Sequence, residues 1–175
     1  MGRVKTVPNI LTLIRILLLP FIVVLIVKGK FSFALFLFII SAITDFLDGY
    51  IARKSKSITS LGMLLDPVAD KLLTSSTLIS LAYVKLCDPY SVIAIVGREE
   101  AVTGMRAIAA SRGLVIPASK GGKIKTALIM VSIVLLLSGL RDAGEILLIL
   151  SALVALYTGI VYFVRFFKVL GEGNG

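Results

Sequence analysis

The sequence predicts an all-α integral membrane protein with six transmembrane helices and an active site near the cytosolic face. Three observations carry that reading. Hydrophobic residues make up 58% of the 175 and charged residues only 17%, with a mean hydropathy of +1.03; soluble domains are about 45–50% apolar. Apolar runs recur between short basic segments, a pattern that accommodates about six spans and no separate soluble domain, so residues 1–175 are taken as one domain. Four of the ten acidic residues fall between Asp45 and Asp70, flanked by apolar segments. A carboxylate costs roughly 2.5–3.5 kcal/mol at the centre of a membrane helix, which makes such acids functional candidates by default.

The composition narrows the chemistry. Histidine is absent, which removes the usual general base and the commonest zinc and iron ligand. Any metal is then held by oxygen, which suits Mg2+, Mn2+ or Ca2+. Cys87 is the single cysteine, so no intramolecular disulfide forms. The net charge of +9 points to anionic lipid or phosphate as partner. Scattering of the basic residues between spans argues against nucleic acid. The basic start and apolar run imitate a signal peptide, but Arg15 interrupts the run and no small-residue cleavage site follows. A retained first span is expected.

Span 1 is expected over 10–27, entered through Pro8 and Asn9. Asn9, Thr12 and Arg15 recur at helical spacing as a polar stripe, either snorkelling to the interface or lining the acidic site. Span 2 starts at Phe31, and its apolar part ends at Ile43. That part is too short to cross about 30 Å at 1.5 Å per residue, so the helix must take in Asp45 and Asp48. Span 3 must likewise take in Asp66 and Asp70 on its way to Val84. Span 4 is expected over 90–110, a loop over 112–125 with Gly121-Gly122, span 5 over 126–140, a turn over 141–145, span 6 over 146–163 and a frayed tail beyond.

Asp45 and Asp48 lie three apart, and Asp66 and Asp70 four apart, so each pair shares a helix face. Asp45 is 15 residues from Lys30 and Asp70 is 15 residues from Lys85, which predicts equal depth in antiparallel helices. Asp48 and Asp66 form a second layer about 5 Å nearer the other interface. Four carboxylates in adjacent layers repel strongly in low dielectric and need cations or protons to coexist. Beyond them, Gly49 and Gly62 leave room for a ligand to approach the backbone. Asp66 before Pro67 also resembles a helix N-cap with proline at the first position. That structural account does not extend to Asp70, nor to Asp45 and Asp48 near the negative end of span 2.

Lys and Arg concentrate at the N-terminus, near 53–56, over 112–125 and in the tail, and the positive-inside rule then places both termini and the acidic layers toward the cytoplasm. Arg53 reads equally as a snorkelling residue, and Lys120, Lys123 and Lys125 as orientation signal. Arg98 and Arg106 lie two turns apart on nearly one face of span 4.

The run D-x2-D-G-x2-A-R-x8-G-x3-D-x3-D is complete here as Asp45, Asp48, Gly49, Ala52, Arg53, Gly62, Asp66 and Asp70. It resembles the signature of the CDP-alcohol phosphatidyltransferases. Flanking features extend the likeness over most of the chain: Pro8, Asn9, Leu11, Thr12, Arg15 and Pro20; Arg98, Glu99 and Arg106; Gly122, Lys123, Lys125 and Thr126. The resemblance implies a multi-pass enzyme of the bacterial cell membrane, acting on CDP-diacylglycerol with sn-glycerol 3-phosphate as acceptor and Mg2+ or Mn2+ in a two-metal site. It assigns Asp45, Asp48, Asp66 and Asp70 to the metals, and Asp45, Gly49, Arg53 and Gly62 to the CDP-lipid. Asp70 becomes the candidate general base, and Arg98, Arg106, Lys123 and Lys125 the acceptor-phosphate ligands. It also implies a homodimer. Two alternatives stay open: another acceptor (phosphatidylglycerol, inositol phosphate or serine), and a cation transporter using the acids as an ion path. A purely structural membrane protein leaves four co-layered carboxylates uncompensated.

Overall fold

The computed structural model describes residues 7–55, 60–113 and 120–172, and the side chains within 12–44, 68–113, 121–122 and 124–168. Among the described residues there are six α-helices and no strand: α1 (Val7–Val27), α2 (Phe31–Ser55), α3 (Ser60–Tyr83), α4 (Pro89–Ser111), α5 (Lys120–Leu137) and α6 (Arg141–Glu172). The all-α class and the helix number agree with the hydropathy pattern. Helices α1 to α4 have 21 to 25 residues, or about 31–38 Å at 1.5 Å per residue.

Three boundaries differ from the sequence expectation. Helix α3 begins at Ser60, so Asp66 and Pro67 lie in its interior and Asp66 is not an N-cap. The missing N–H of Pro67 removes one ladder bond, a defect that packed neighbouring helices tolerate. Helix α5 begins at Lys120, so Lys120, Lys123 and Lys125 belong to its first turns and not to a loop. Gly121 has a packing reason there: a Cβ on it would come within 2.8 Å of Thr158 Cγ2. Helix α6 takes in both the expected turn over 141–145 and the expected tail as far as Glu172. Asp142 in its first turn complements the positive end of the helix dipole.

The three described turns are built alike. Gly29 N–H bonds Ile26 C=O (2.9 Å) and Lys30 N–H bonds Leu25 C=O (2.8 Å); Lys85 and Leu86 do the same to Ala82 (3.0 Å) and Leu81 (2.9 Å), and Gly139 and Leu140 to Leu136 (3.3 Å) and Leu135 (3.0 Å). These are Schellman closures, which satisfy the last carbonyls of α1, α3 and α5 with one residue in the left-handed region. Glycine fills it at 29 and 139, with φ of 69° and 89°, but Lys85 adopts 58° with a side chain. Arg141 Nη2 donates to the Lys85 carbonyl at 2.8 Å, tying α6 to this turn. Helix α4 then starts with Pro89 behind Asp88, whose carboxylate accepts from Ser91 N–H at 2.7 Å and Ser91 Oγ at 2.9 Å. Those two bonds hold the Asp88 carboxyl below its ordinary value, while burial pushes the neighbouring Cys87 thiol up to about 12 and leaves it inert.

The helix pairs in contact close a ring in the order α1, α2, α5, α6, α4, α3, and α3 also touches α5 across it. The ring is thereby pinched into two compartments, α1/α2/α3/α5 and α3/α4/α5/α6. A continuous apolar core fills the end that holds the described turns, with Ile26, Phe38, Leu81, Ile95, Ile133 and Leu148 buried. A second cluster of Val102, Ala109, Tyr162 and Phe166 joins α4 to α6. The outside is apolar too: Phe21, Phe33, Ile93 and Ile160 are each more than 60% exposed, an exterior that suits lipid and not water. By length and composition one helix, Arg141–Lys168, crosses a membrane among the described residues, and the shorter apolar stretches are Thr12–Val27, Phe31–Thr44 and Ile124–Leu137. Helices α2 and α3 each take in the pair of aspartates that the span-length argument assigned to them.

Relief of the left-handed strain at Lys85 outweighs the added freedom of glycine in the unfolded chain. Lys85→Gly is expected to stabilise the protein by about 0.5–1 kcal/mol, read as a higher Tm in detergent.

Candidate active site

The polar side chains converge in the second compartment. Lys71 on α3 donates through Nζ to Thr103 Oγ1 on α4. Thr103 Oγ1 donates to the Glu99 carbonyl at 2.6 Å. The Glu99 carboxylate accepts at one oxygen, Oε1, from Arg98 Nη1 at 2.7 Å and from Lys125 Nζ on α5. Arg98 Nη2 reaches Thr158 Oγ1 on α6 at 3.3 Å, and Thr158 in turn donates to the Val154 carbonyl at 2.8 Å. Four helices are therefore joined through one chain of polar contacts. The side chains of Lys125 and Arg98 are 3% and 9% exposed, so both cations are drawn out of solvent and held by hydrogen bonds, as buried charge requires.

Asp70 is half-buried on α3, and its charge acts on both Lys71 and Lys125. Arg106 is exposed on α4, yet its charge also reaches Lys71 and Arg98. Of the residues singled out from sequence, the structure brings Asp70, Arg98, Arg106 and Lys125 into one electrostatic neighbourhood. Asp45, Asp48, Gly49 and Arg53 fall on α2 and Gly62 and Asp66 on α3, but their side chains lie outside the described residues, as does that of Lys123 on α5. Thr12 and Arg15 are buried, Arg15 at 2% exposure. For Thr12 and Arg15 the snorkelling reading is overturned, since a snorkelling guanidinium reaches the interface and this one is buried; the Asn9 side chain lies outside the described residues.

Lys71, Thr103 and Thr158 escaped the sequence reading. Lys71 carried a usable signal, a cation inside an expected span one residue after Asp70. The threonines carried none, because serine and threonine hydroxyls commonly bond the carbonyl a turn earlier without further consequence.

Asp70 is the described member of the acidic set. Among the described residues no group of three or more His, Cys, Asp or Glu is placed to hold a metal ion. The donor chemistry of Asp45, Asp48, Asp66 and Asp70 is all oxygen, which fits a hard divalent cation. A groove of about 370 Å3 between α4 and α6, lined by Gly97, Ala101, Met105, Gly159 and Phe163, opens onto the stem of Arg98. A wholly apolar groove of about 400 Å3 runs between α2 and α5 past Phe38, Ala42, Met130 and Val134.

The sequence model of the family described as CDP-alcohol phosphatidyltransferase matches residues 5–161. The chain belongs to the CDP-alcohol phosphatidyltransferase family. A protein of Rickettsia typhi named CDP-diacylglycerol–glycerol-3-phosphate 3-phosphatidyltransferase is 36% identical over 170 residues, covering 91% of this chain and 96% of its own. A Bacillus subtilis protein of the same name is 42% identical over 134 residues, 68% of this chain and 69% of its own. A Mycobacterium tuberculosis protein named probable phosphatidylglycerophosphate synthase is 36% identical over 180 residues, 97% of this chain and 86% of its own.

The Thr103 hydroxyl is the bridge between Lys71 and the α4 backbone. Thr103→Val keeps the shape and removes the acceptor, leaving the ammonium short of a partner. A loss of about 1–2 kcal/mol is expected in thermal or denaturant unfolding, with Thr103→Ser close to the parent protein.

Proposed function

We propose that this enzyme transfers the phosphatidyl group of CDP-diacylglycerol to sn-glycerol 3-phosphate, giving phosphatidylglycerophosphate and CMP. The observation that carries the choice of acceptor is the convergence of Lys71, Arg98 and Lys125 from three helices within reach of the charge of Asp70. A phosphate ester gives these cations a counter-charge by charge-assisted hydrogen bonds. Serine or another acceptor without a phosphate leaves them idle. Cation transport is a poorer account, because fixed ammonium groups beside Asp70 repel a passing cation.

In the proposed reaction a hydroxyl of glycerol 3-phosphate attacks the lipid-side phosphorus. The bond from that phosphorus to the bridging oxygen breaks, and CMP departs with the electron pair. Asp70 takes the hydroxyl proton on its carboxylate, at a site where acid–base assistance contributes about 10²–10⁴-fold. Arg98, Arg106, Lys123 and Lys125 hold the acceptor phosphate and orient its hydroxyl. Asp45, Gly49, Arg53 and Gly62 seat the cytidine diphosphate, the glycines by allowing close backbone approach. Mg2+ or Mn2+, as a pair held by Asp45, Asp48, Asp66 and Asp70, supplies charge neutralisation on the pyrophosphate when bound.

The apolar exterior supports a multi-pass protein of the bacterial cell membrane with all six helices crossing. The basic ends at the N-terminus, Arg53 to Lys56, Arg112 to Lys125 and the tail support cytoplasmic termini and an active site near that face. Exposed Ile79, Tyr83, Tyr90 and Ile93 on α3 and α4 supply an apolar face for a homodimer.

Purified protein in detergent, given CDP-diacylglycerol and Mg2+ or Mn2+, is expected to release CMP with glycerol 3-phosphate and to stop on addition of EDTA. Release only with phosphatidylglycerol, inositol phosphate or serine overturns the acceptor. Asp70→Asn is expected to lower kcat about 100-fold or more while cytidine-nucleotide binding persists; equal loss of both counts against the base. Arg106→Ala is expected to raise the KM for glycerol 3-phosphate far more than that for the liponucleotide, and similar rises in both remove Arg106 from the acceptor pocket.

A further inference from the structure

Resting on that acceptor reading, we propose that Glu99 is a positioning residue whose single carboxylate oxygen gathers Arg98 and Lys125 into one phosphate-binding pair. Both cations bond the same oxygen, Oε1. Two donors on one acceptor lie at most about 6 Å apart at ordinary hydrogen-bond lengths, a separation that one phosphate bridges by accepting from both. Held that close without a carboxylate between them, an ammonium and a guanidinium repel and separate, and the long flexible stem of Lys125 has no other bond in the described contacts to keep it there. The backbone carbonyl of the same residue anchors Thr103, and through it Lys71. The Glu99 carboxylate thus fixes cations that come from α4 and α5, and its backbone carbonyl anchors the contact to α3.

The sign of the effect separates this role from simple charge counting. Neutralising Glu99 adds one positive charge to the pocket. A pocket that works by net charge then binds a phosphate ester more tightly, whereas a pocket that works by placement binds it more weakly. Glu99→Gln is expected to raise the KM for glycerol 3-phosphate about tenfold or more, with kcat and the KM for CDP-diacylglycerol little changed, and to weaken competitive inhibition by inorganic phosphate in parallel. An unchanged or lowered acceptor KM overturns the proposal.

Lys125→Gln and the double variant complete the test. If Glu99 acts through Lys125, adding Glu99→Gln to Lys125→Gln changes the acceptor KM little further, while independent, additive effects count against it. Should Glu99→Gln fail to fold, Glu99→Asp keeps the charge and draws the carboxylate back by one methylene. It is expected to raise the acceptor KM severalfold, and an unchanged KM there also overturns the role. If Lys125→Gln shifts the KM for CDP-diacylglycerol in place of that for glycerol 3-phosphate, the acceptor reading itself falls. If it shifts the acceptor KM while Glu99→Gln does not, only the role of Glu99 falls.

Discussion

A charge on a helix packed among apolar neighbours has to find an opposite charge or a polar group, and in this bundle much of that compensation passes through Glu99. Its carboxylate meets Arg98 and Lys125, and its backbone carbonyl meets Thr103, which meets Lys71. Breaking such a buried set by deleting one member leaves the rest uncompensated, which is far more costly than the set's net contribution to stability. The polar junction is therefore weak evidence for stability and stronger evidence for a site that needs cations held apart from water.

The ring topology explains why that junction can form. Three hairpins closed by similar left-handed turns stack an apolar core at one end, while α4 and α6 pack a second cluster of Val102, Ala109, Tyr162 and Phe166. Contact between α3 and α5 across the ring divides it in two. Helices α1 and α2, with the Asp45 and Asp48 positions, border one compartment; α4 and α6, with Arg98 and Thr158, border the other. Helix α3 borders both, and consecutive residues on a helix lie about 100° apart. Asp70 and Lys71 are such a pair. An acid and a base one residue apart on the dividing helix fit the proposed division of labour between donor and acceptor.

Helix number, class and the acid-bearing stretches were legible because burial and charge leave a one-dimensional trace. The apolar run from Phe31 to Ile43 and the acids at 45 and 48 fall within one helix, Phe31–Ser55, as the span-length argument required. Helix starts were less legible. Gly121-Gly122 reads as a loop because glycine usually marks one, yet here Gly121 serves close approach to Thr158, a fact about a residue 37 positions away. Asp66-Pro67 reads as a cap because the local chemistry allows it, and the turn and a half of helix before it has no strong start signal. Of the proposed site, the charged residues other than Lys71 stood out individually. Their pairing did not, because Glu99 sits between Arg98 and Glu100 with no local reason to prefer Lys125, 26 residues on.

Charge balance gives a physical reason for an acceptor that carries its own phosphate. Lys71, Arg98, Lys125 and Arg106 stand against Glu99, Asp70 and Glu100 in this neighbourhood, an excess of one positive charge. A phosphate monoester carries about −1.5 to −2 near pH 7 and more than offsets that excess. A serine zwitterion offers the cations a single carboxylate and brings an ammonium with it, and a neutral polyol offers no charge at all. An unmatched cation in a partly buried site is a standing cost in the free enzyme, one that binding of the right acceptor removes. Selection for a phosphate ester in this reading comes less from added contacts than from relief of a charge excess already built into the fold.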